Sequence, residues 1–435
     1  MKNYKLLAPV ILIGLFVLGI YMTTSNNVKA ENQFQQYLED ARNYASQEIE
    51  IYARENYQNA LNMRPSLELY LEVASFYRDT MKNFNGALEW GEALLRAYPK
   101  EPRSYEFVLD LFLNNKDYIA FFELYNDMVN RHVASENADA LYQTVEYEYY
   151  LQGEYDDASI FSSNRAPVCR NETWGYSNTK GKRVIGTIYA CVGAFNNEMA
   201  PVIDAEGKAF YIDLDGNKVF AVSTEEVVTE LGVMSSADIY AVNNGQEWNY
   251  YNKSGDKIMG GFQEATTLGN GLAAAKDSEG WKIYDASGNV KINTTFDEVL
   301  TDEKQMAYRN ERLFVGTGDS YQMIDSAGTQ IGTESYEDAK IFYEGTYAAV
   351  QKDGKWGFID KDGNWFLEPT YEDARSFSNG YAAVQSDGQW GFINMDKELC
   401  IPCQFTDAKD FTANGTVFVR DNMTWSVLLL YQKNY

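Results

Sequence analysis

The stretch from Tyr336 to Asn394 is written twice. Residues 336–360 read YEDAKIFYEGTYAAVQKDGKWGFID, and residues 371–394 read YEDARSFSNGYAAVQSDGQWGFIN. A small supersecondary unit copied at a fixed period cannot bury its apolar face alone, so adjacent copies must cover one another. Arrays of this kind ordinarily serve as binding scaffolds. The pattern therefore speaks to architecture before it speaks to any ligand.

The same phase extends well beyond the two clear copies. Trp174, Trp248, Trp281, Trp356, Trp390 and Trp425 recur along the chain, and Phe210 and Tyr321 fill the two gaps. Successive anchors are 33 to 40 residues apart, which gives eight units of about 36 residues over 166–435. The most regular unit reads as a three-stranded meander: Tyr347 to Gln351, Lys355 to Asp360, and Asn364 to Leu367. Asp353-Gly354 and Asp362-Gly363 supply the turns, because the central residues of a tight hairpin turn need positive φ. Tyr371-Glu372-Asp373-Ala374, followed by Phe377 and Gly380, reads as the connection to the next unit. Three strands in 36 residues favour an open or barrel-like array over a closed ring of four-stranded blades. The apolar segment Trp425 to Tyr431 fits a capping strand or a ring-closing one.

An aromatic demanded once per unit serves the unit's core, since one Trp buries on the order of 200 Å². The Gly after it leaves room for a neighbouring backbone. A stacking surface for sugar rings or peptide is the competing reading. The elements Tyr-Ala-Ala-Val, Asp-Gly-x-Trp-Gly-Phe-Ile-Asp, Asp-Gly, Pro-x-Tyr-x-x-Ala and Phe-x-x-Gly resemble the bacterial WG-repeat family, most closely around Trp356 and Trp390. Trp248-Asn249, Trp281-Lys282 and Trp425-Ser426 depart from the Trp-Gly pair. The resemblance implies an all-β repeat domain.

Residues 31–165 read differently. Tyr37, Ala41, Tyr44 and Ala45 share a helical face, and Leu67, Leu71, Ala74 and Tyr77 share another that Pro65-Ser66 would start. Turn-then-helix openings recur at Asn83–Ala87, Lys116–Ala120 and Gly153–Ala158, with aromatics at Phe84, Tyr118 and Tyr155. A period of about 34 residues is that of helix–turn–helix tetratricopeptide repeats. Phe84, Ala87, Leu94 and Pro99, with Tyr155 and Ala158, resemble that family, although Gly91 and Phe121 depart from it. The resemblance implies a concave protein-binding surface; a plain helical bundle is the alternative.

Residues 1–30 open with Lys2 and Lys5 and an apolar run from Leu6 to Met22. At 1.5 Å per residue the run reaches roughly 26 Å, close to the thickness of a hydrocarbon core. The expectation is a signal anchor crossing the membrane through residues 6–22, with the later domains outside the cytoplasm. Cleavage after Ala30, giving a secreted protein, is the alternative. In that setting four cysteines would be oxidisable, and proximity favours Cys169 with Cys191 and Cys400 with Cys403. The expected fold class is thus a multidomain α+β chain: a transmembrane helix, a helical repeat domain, and an all-β array, solenoid or propeller-like.

Formal net charge is −26, which repels phosphate backbones and excludes nucleic acid as a partner class. His132 is the only histidine, so no zinc-ligand spacing or Ser-His-Asp set is present, and no phosphate-binding glycine motif occurs. No metal, cofactor or catalytic residue is expected. Asp213-x-Asp215-Gly216-Asn217 and Asp360-x-Asp362-Gly363-Asn364 resemble calcium loops but lack the distal Glu, and read as turns. The reading is a non-catalytic, membrane-anchored scaffold for a protein or a cell-surface glycan. The alternatives are an enzyme acting on cell-wall glycan through an Asp/Glu pair, and a structural spacer.

Overall fold

A computed structural model describes residues 26–222 and 227–434. The chain divides into two compact units at Glu148/Tyr149, earlier than the boundary expected at residue 166.

The first unit is helical. Helix α1 occupies residues 26–46. It is followed by α2 (Glu50–Met63), α3 (Leu67–Ser75), α4 (Phe84–Ala97), α5 (Pro102–Asn114), α6 (Tyr118–Asn130) and α7 (Glu136–Val145). Short polar side chains start four of these helices. Ser66, Asn83, Asp117 and Ser135 each accept a backbone N–H three residues on, satisfying one of the orphan donors of the first turn. A π-helical turn, Phe76–Thr80, places the ring of Tyr77 where a side chain on Gly86 would stand, with a built Cβ only 2.2 Å from that ring. Gly91 meets Val108 of α5 in the same way, a built Cβ lying 2.7 Å from its Cγ2. Ion pairs tie residues 30 to 35 positions apart in the helical unit: Arg42–Glu72, Arg54–Glu89, Arg64–Glu31, Arg103–Glu68 and Arg78–Asp110.

The membrane segment expected over residues 6–22 lies outside the described residues. Among the described residues no helix is long and apolar enough to cross a membrane. The neighbouring α1 is amphipathic: Phe34, Leu38, Ala41 and Ala45 enter the helical core, and Glu31, Gln35, Asp40 and Arg42 face water. The transmembrane fold class and the single-pass membrane location are corrected accordingly.

The second unit, Tyr149–Asn434, is β-structure throughout apart from a short 3-10 turn. In the seventh repeat the order across the sheet is Asp373–Ala374, Tyr381–Ser386, Gln389–Asn394 and Leu399–Phe405, all antiparallel. The two-residue inner strand is the segment that reads as a connection in the sequence, so a complete repeat has four strands rather than three. The outer strand of one repeat leads directly into the inner strand of the next, as Trp365–Tyr371 leads into Asp373–Ala374. In the first two repeats the strand Arg183–Val192 spans that junction, fusing them into one seven-stranded sheet. The fifth is reduced to three strands, with bridges Tyr321–Tyr336 and Ile324–Gln330 in the outer position.

The eighth repeat shows how the array ends. Its inner and central strands are Asp407–Ala408, Thr416–Asp421 and Thr424–Leu430, and its fourth strand is Tyr149–Tyr155 from the other end of the unit. Tyr149 pairs with Leu430 and Tyr155 with Trp425. Asp157–Ala158 then opens the first repeat. The array is therefore a closed ring of eight repeats, not an open solenoid. The expected third helical opening, Gly153–Ala158, is the closing strand and the first inner strand. Adjacent sheets share cores: Trp356 and Phe358 pack with Ala374, Phe377 and Val384, and Phe418, Trp425 and Val427 pack with Tyr155, Ala158 and Val168.

Candidate functional site

Seven of the eight anchors occupy one register position; in the second repeat that position is Ala209, and Phe210 is the residue after it. Trp248, Trp281, Trp356, Trp390 and Trp425 are buried, and Trp174, Phe210 and Tyr321 are half-buried. Each of four tryptophans faces an aromatic on the outer strand: Trp248 with Phe262, Trp281 with Phe296, Trp356 with Tyr371, and Trp390 with Phe405. Ring faces still open are overlaid by cations: Lys340 lies 4.9 Å from the Trp356 centroid and Lys409 5.2 Å from that of Trp425. The anchors thus serve the core. The glycine after the Trp answers the same packing. A Cβ on Gly391 would lie 2.5 Å from the carbonyl oxygen of Ile401, and one on Gly357 2.6 Å from that of Leu367. Where Asn249 replaces it, the facing strand supplies Gly260 and Gly261 instead, and Asn249 Oδ1 accepts the Gly261 N–H.

The acidic turn residues are likewise committed. Asp213 Oδ1 accepts the N–H groups of Asp215 and Asn217, and Asp360 Oδ1 those of Asp362 and Asn364. No group of metal-ligating side chains occurs among the described residues. Glu337 and Glu372, second in the Tyr-Glu-Asp-Ala phrase, accept the N–H of Gly354 and Gly388 in the following hairpin turn. His132 is an exposed turn residue with φ 59° just after α6. The pairings of Cys169 with Cys191 and of Cys400 with Cys403 are not formed; all four thiols are free. Cys169 pairs with Trp174, Trp174 with Tyr189, and Cys191 lies two residues further on. Two strand spacings of about 4.8 Å already exceed the reach of a disulfide.

One constellation escaped the sequence reading. The residue after the inner Asp-Ala is a cation in three consecutive repeats: Lys340, Arg375 and Lys409. The fifth repeat inserts a loop at the same level. Asp302 Oδ1 closes it by accepting the N–H groups of Lys304 and Met306, and Arg309 grips Asp302 Oδ2 at 2.7 and 2.9 Å. The loop delivers Glu303 to donors from three other repeats. Glu303 Oε1 accepts from Arg375 Nη2 (2.8 Å) and Lys409 Nζ (3.2 Å), and Oε2 from Ser159 Oγ (2.8 Å) and the Ile160 N–H (3.3 Å). Arg375 also makes a bidentate pair with Asp410, through Nε at 2.8 Å and Nη2 at 2.7 Å. Burial opposes the Glu303 charge, but Arg375, Lys409 and the Ser159 hydroxyl outweigh it and hold the carboxyl down at about 2. Burial also pushes the Lys304 ammonium below its ordinary range.

A cavity of about 240 Å³ lies beside this network, lined by Ile160, Thr301, Lys340, Tyr343, Arg375 and Asp410 among others. A second, of about 170 Å³, lies against Gly193, Val233, Trp248 and Gln305, and Glu303 borders both. Glu303 holds no proton at neutral pH, and its oxygens are filled by four donors. It is equipped to order the centre of the ring rather than to act as a general acid. The signal that points here is the repeated cation after Asp-Ala, together with the one repeat that breaks phase around residues 301–306.

Comparison with known proteins bears on the second unit. The family model described as WG containing repeat matches residues 151–174, 174–204, 335–356, 356–390 and 390–425. The matches fall in two stretches of the second unit, residues 151–204 and 335–425, and do not reach the helices. No curated protein matches the sequence. Among solved structures, the computationally designed Ika8 protein is similar over 66% of this chain and 98% of its own, at 12% identity and a TM-score of 0.44. BamB from Moraxella catarrhalis is similar over 65% and 99%, at 12% identity and a TM-score of 0.43. Hsv2p from Kluyveromyces lactis is similar over 57% and 96%, at 11% identity and a TM-score of 0.38.

Proposed function

We propose that this protein is a non-catalytic scaffold that binds another protein at the cavity formed where its repeats converge. One observation carries the reading. Five different repeats place Ile160, Thr301, Lys340, Arg375 and Asp410 around a single concavity, while the recurring aromatics are spent on the core. A concavity with a few convergent polar groups is the default recognition site of a fold. The glycan-hydrolase reading needs one carboxylate that keeps a proton and one that does not. Glu303, the carboxylate that three other repeats grip, is held ionised by Arg375 and Lys409.

The test places a photo-reactive phenylalanine at Thr301 in the full chain, with a second at Val219 on an outer strand as the control. The expected result is one protein cross-linked at 301, competed away by unmodified protein and absent at 219. Indistinguishable cross-linking at the two positions overturns the reading, as does turnover of a wall polysaccharide that is lost in Glu303→Gln.

A further inference from the structure

Lys340, Arg375 and Lys409 stand at one position of the sixth, seventh and eighth repeats. Two of them have carboxylate partners. Lys409 lies over its own anchor, Trp425, and reaches Glu303; Arg375 takes Glu303 and Asp410. Lys340 lies over its own anchor, Trp356, in the same posture, yet among the described residues it makes no ion pair, and it borders the 240 Å³ cavity. Arg375 borders the same cavity, and its hydrogen bonds use Nε and Nη2 only, which leaves both Nη1 protons unspent. Thr301 adds a hydroxyl on the cavity wall.

Lys304, Arg309, Lys340, Arg375 and Lys409 gather here with Asp302, Glu303, Glu344, Asp373 and Asp410, five cations to five carboxylates in a chain of net charge −26. A planar guanidinium edge beside an ammonium matches the two oxygens of a carboxylate. The cavity is too small for a folded segment and large enough for one side chain or chain terminus.

We infer that the cavity between Lys340 and Arg375 is a binding site for a carboxylate group, supplied by an acidic side chain or the C-terminus of a peptide. This deepens the scaffold reading above and rests on it for the peptide. The site itself is testable without any partner. Glutarate and inorganic phosphate are titrated calorimetrically into the full chain, into Lys340→Met, and into Lys218→Met as a control; Lys218 lies over Phe210 in the second repeat. Glutarate is expected to bind saturably at one site, at least about tenfold more weakly to Lys340→Met and unchanged for Lys218→Met. Lys340→Arg, which keeps the charge and the donors, is expected to retain binding and guards against a folding defect in the Met variant. Equal affinity for wild type and Lys340→Met, absence of saturable glutarate binding, or tighter binding of phosphate than of glutarate overturns the inference. Loss of glutarate binding with intact cross-linking at position 301 would sink this site alone and leave the scaffold reading standing.

Discussion

Two residues carry obligations that their neighbours do not. Gly391 follows the anchor Trp390 at a point where the outer strand shifts register, and a side chain there would press on the backbone of Ile401 and Cys403. Gly388, three positions earlier, has open space around its Cβ position and only a positive φ of 73° to satisfy. Gly391→Ala is therefore expected to cost at least about 2 kcal/mol, through overpacking against backbone that cannot move aside, and Gly388→Ala about 1 kcal/mol. Urea denaturation of the two variants measures the difference, and equal losses would refute the steric reading. Glu303 is the other case. Its carboxyl falls from an ordinary 4.5 to about 2 on folding, outbalancing burial through Arg375 and Lys409. A depressed carboxyl stabilises the fold above the unfolded value and loses that contribution as pH drops through the folded one. Glu303→Gln is accordingly expected to lose roughly 3 kcal/mol at pH 7, a penalty that shrinks below pH 4.5 and vanishes near pH 2. Urea melts at pH 7 and at pH 3 read it out; a pH-independent penalty would mean that the carboxylate charge is not what the cluster uses.

At the scale of elements, the closing strand decides whether the ring is one cooperative body. Tyr155 pairs with Trp425, packs edge-on to Phe418 and donates its hydroxyl to the Gly181 carbonyl, so one side chain touches the first and last repeats. Tyr155→Ala is expected to cost about 3–5 kcal/mol and to raise amide exchange in Thr424–Leu430 and Arg165–Arg170 together. Exchange confined to Tyr149–Tyr155 would show that the ends of the ring open independently. The strand was legible in outline. Tyr155-Asp156-Asp157-Ala158 is the phrase of Tyr336-Glu337-Asp338-Ala339 and Phe405-Thr406-Asp407-Ala408, with the aromatic and the Asp-Ala in the same places. It reads as a helix opening because an aromatic three residues before a small residue also suits a helix, and periodicity over four residues does not separate the two. The inner strands stayed hidden because two residues carry no alternation. The anchors and hairpin turns were legible because burial and positive φ each restrict the residue type at a fixed spacing. The charged centre was not, since Glu303, Arg375 and Asp410 meet through ring closure and lie 35 to 107 residues apart.

At the scale of the whole chain, the aromatic cluster around Tyr57, Tyr77 and Trp90 belongs to the helical unit and the Trp-centred clusters to the β unit, so where the chain is cut becomes a sharp question. A chain starting at Tyr149 keeps the closing strand, the first inner strand, and the donors Ser159 and Ile160 that grip Glu303. One starting at Ala166 loses all of them. It exposes the edge of Thr424–Leu430, an apolar strand that includes Val427, Leu428, Leu429 and Leu430, and an unpaired edge of that kind pairs with other chains. The Tyr149 start is therefore expected to give a monomer that unfolds in one transition at the midpoint of the β unit in the full chain. The Ala166 start, which removes only 17 more residues, is expected to aggregate or melt without cooperativity. Sedimentation and thermal denaturation of the two fragments decide the matter. Two equally stable monomers would mean that the repeats hold together as an open stack and that ring closure contributes nothing to stability.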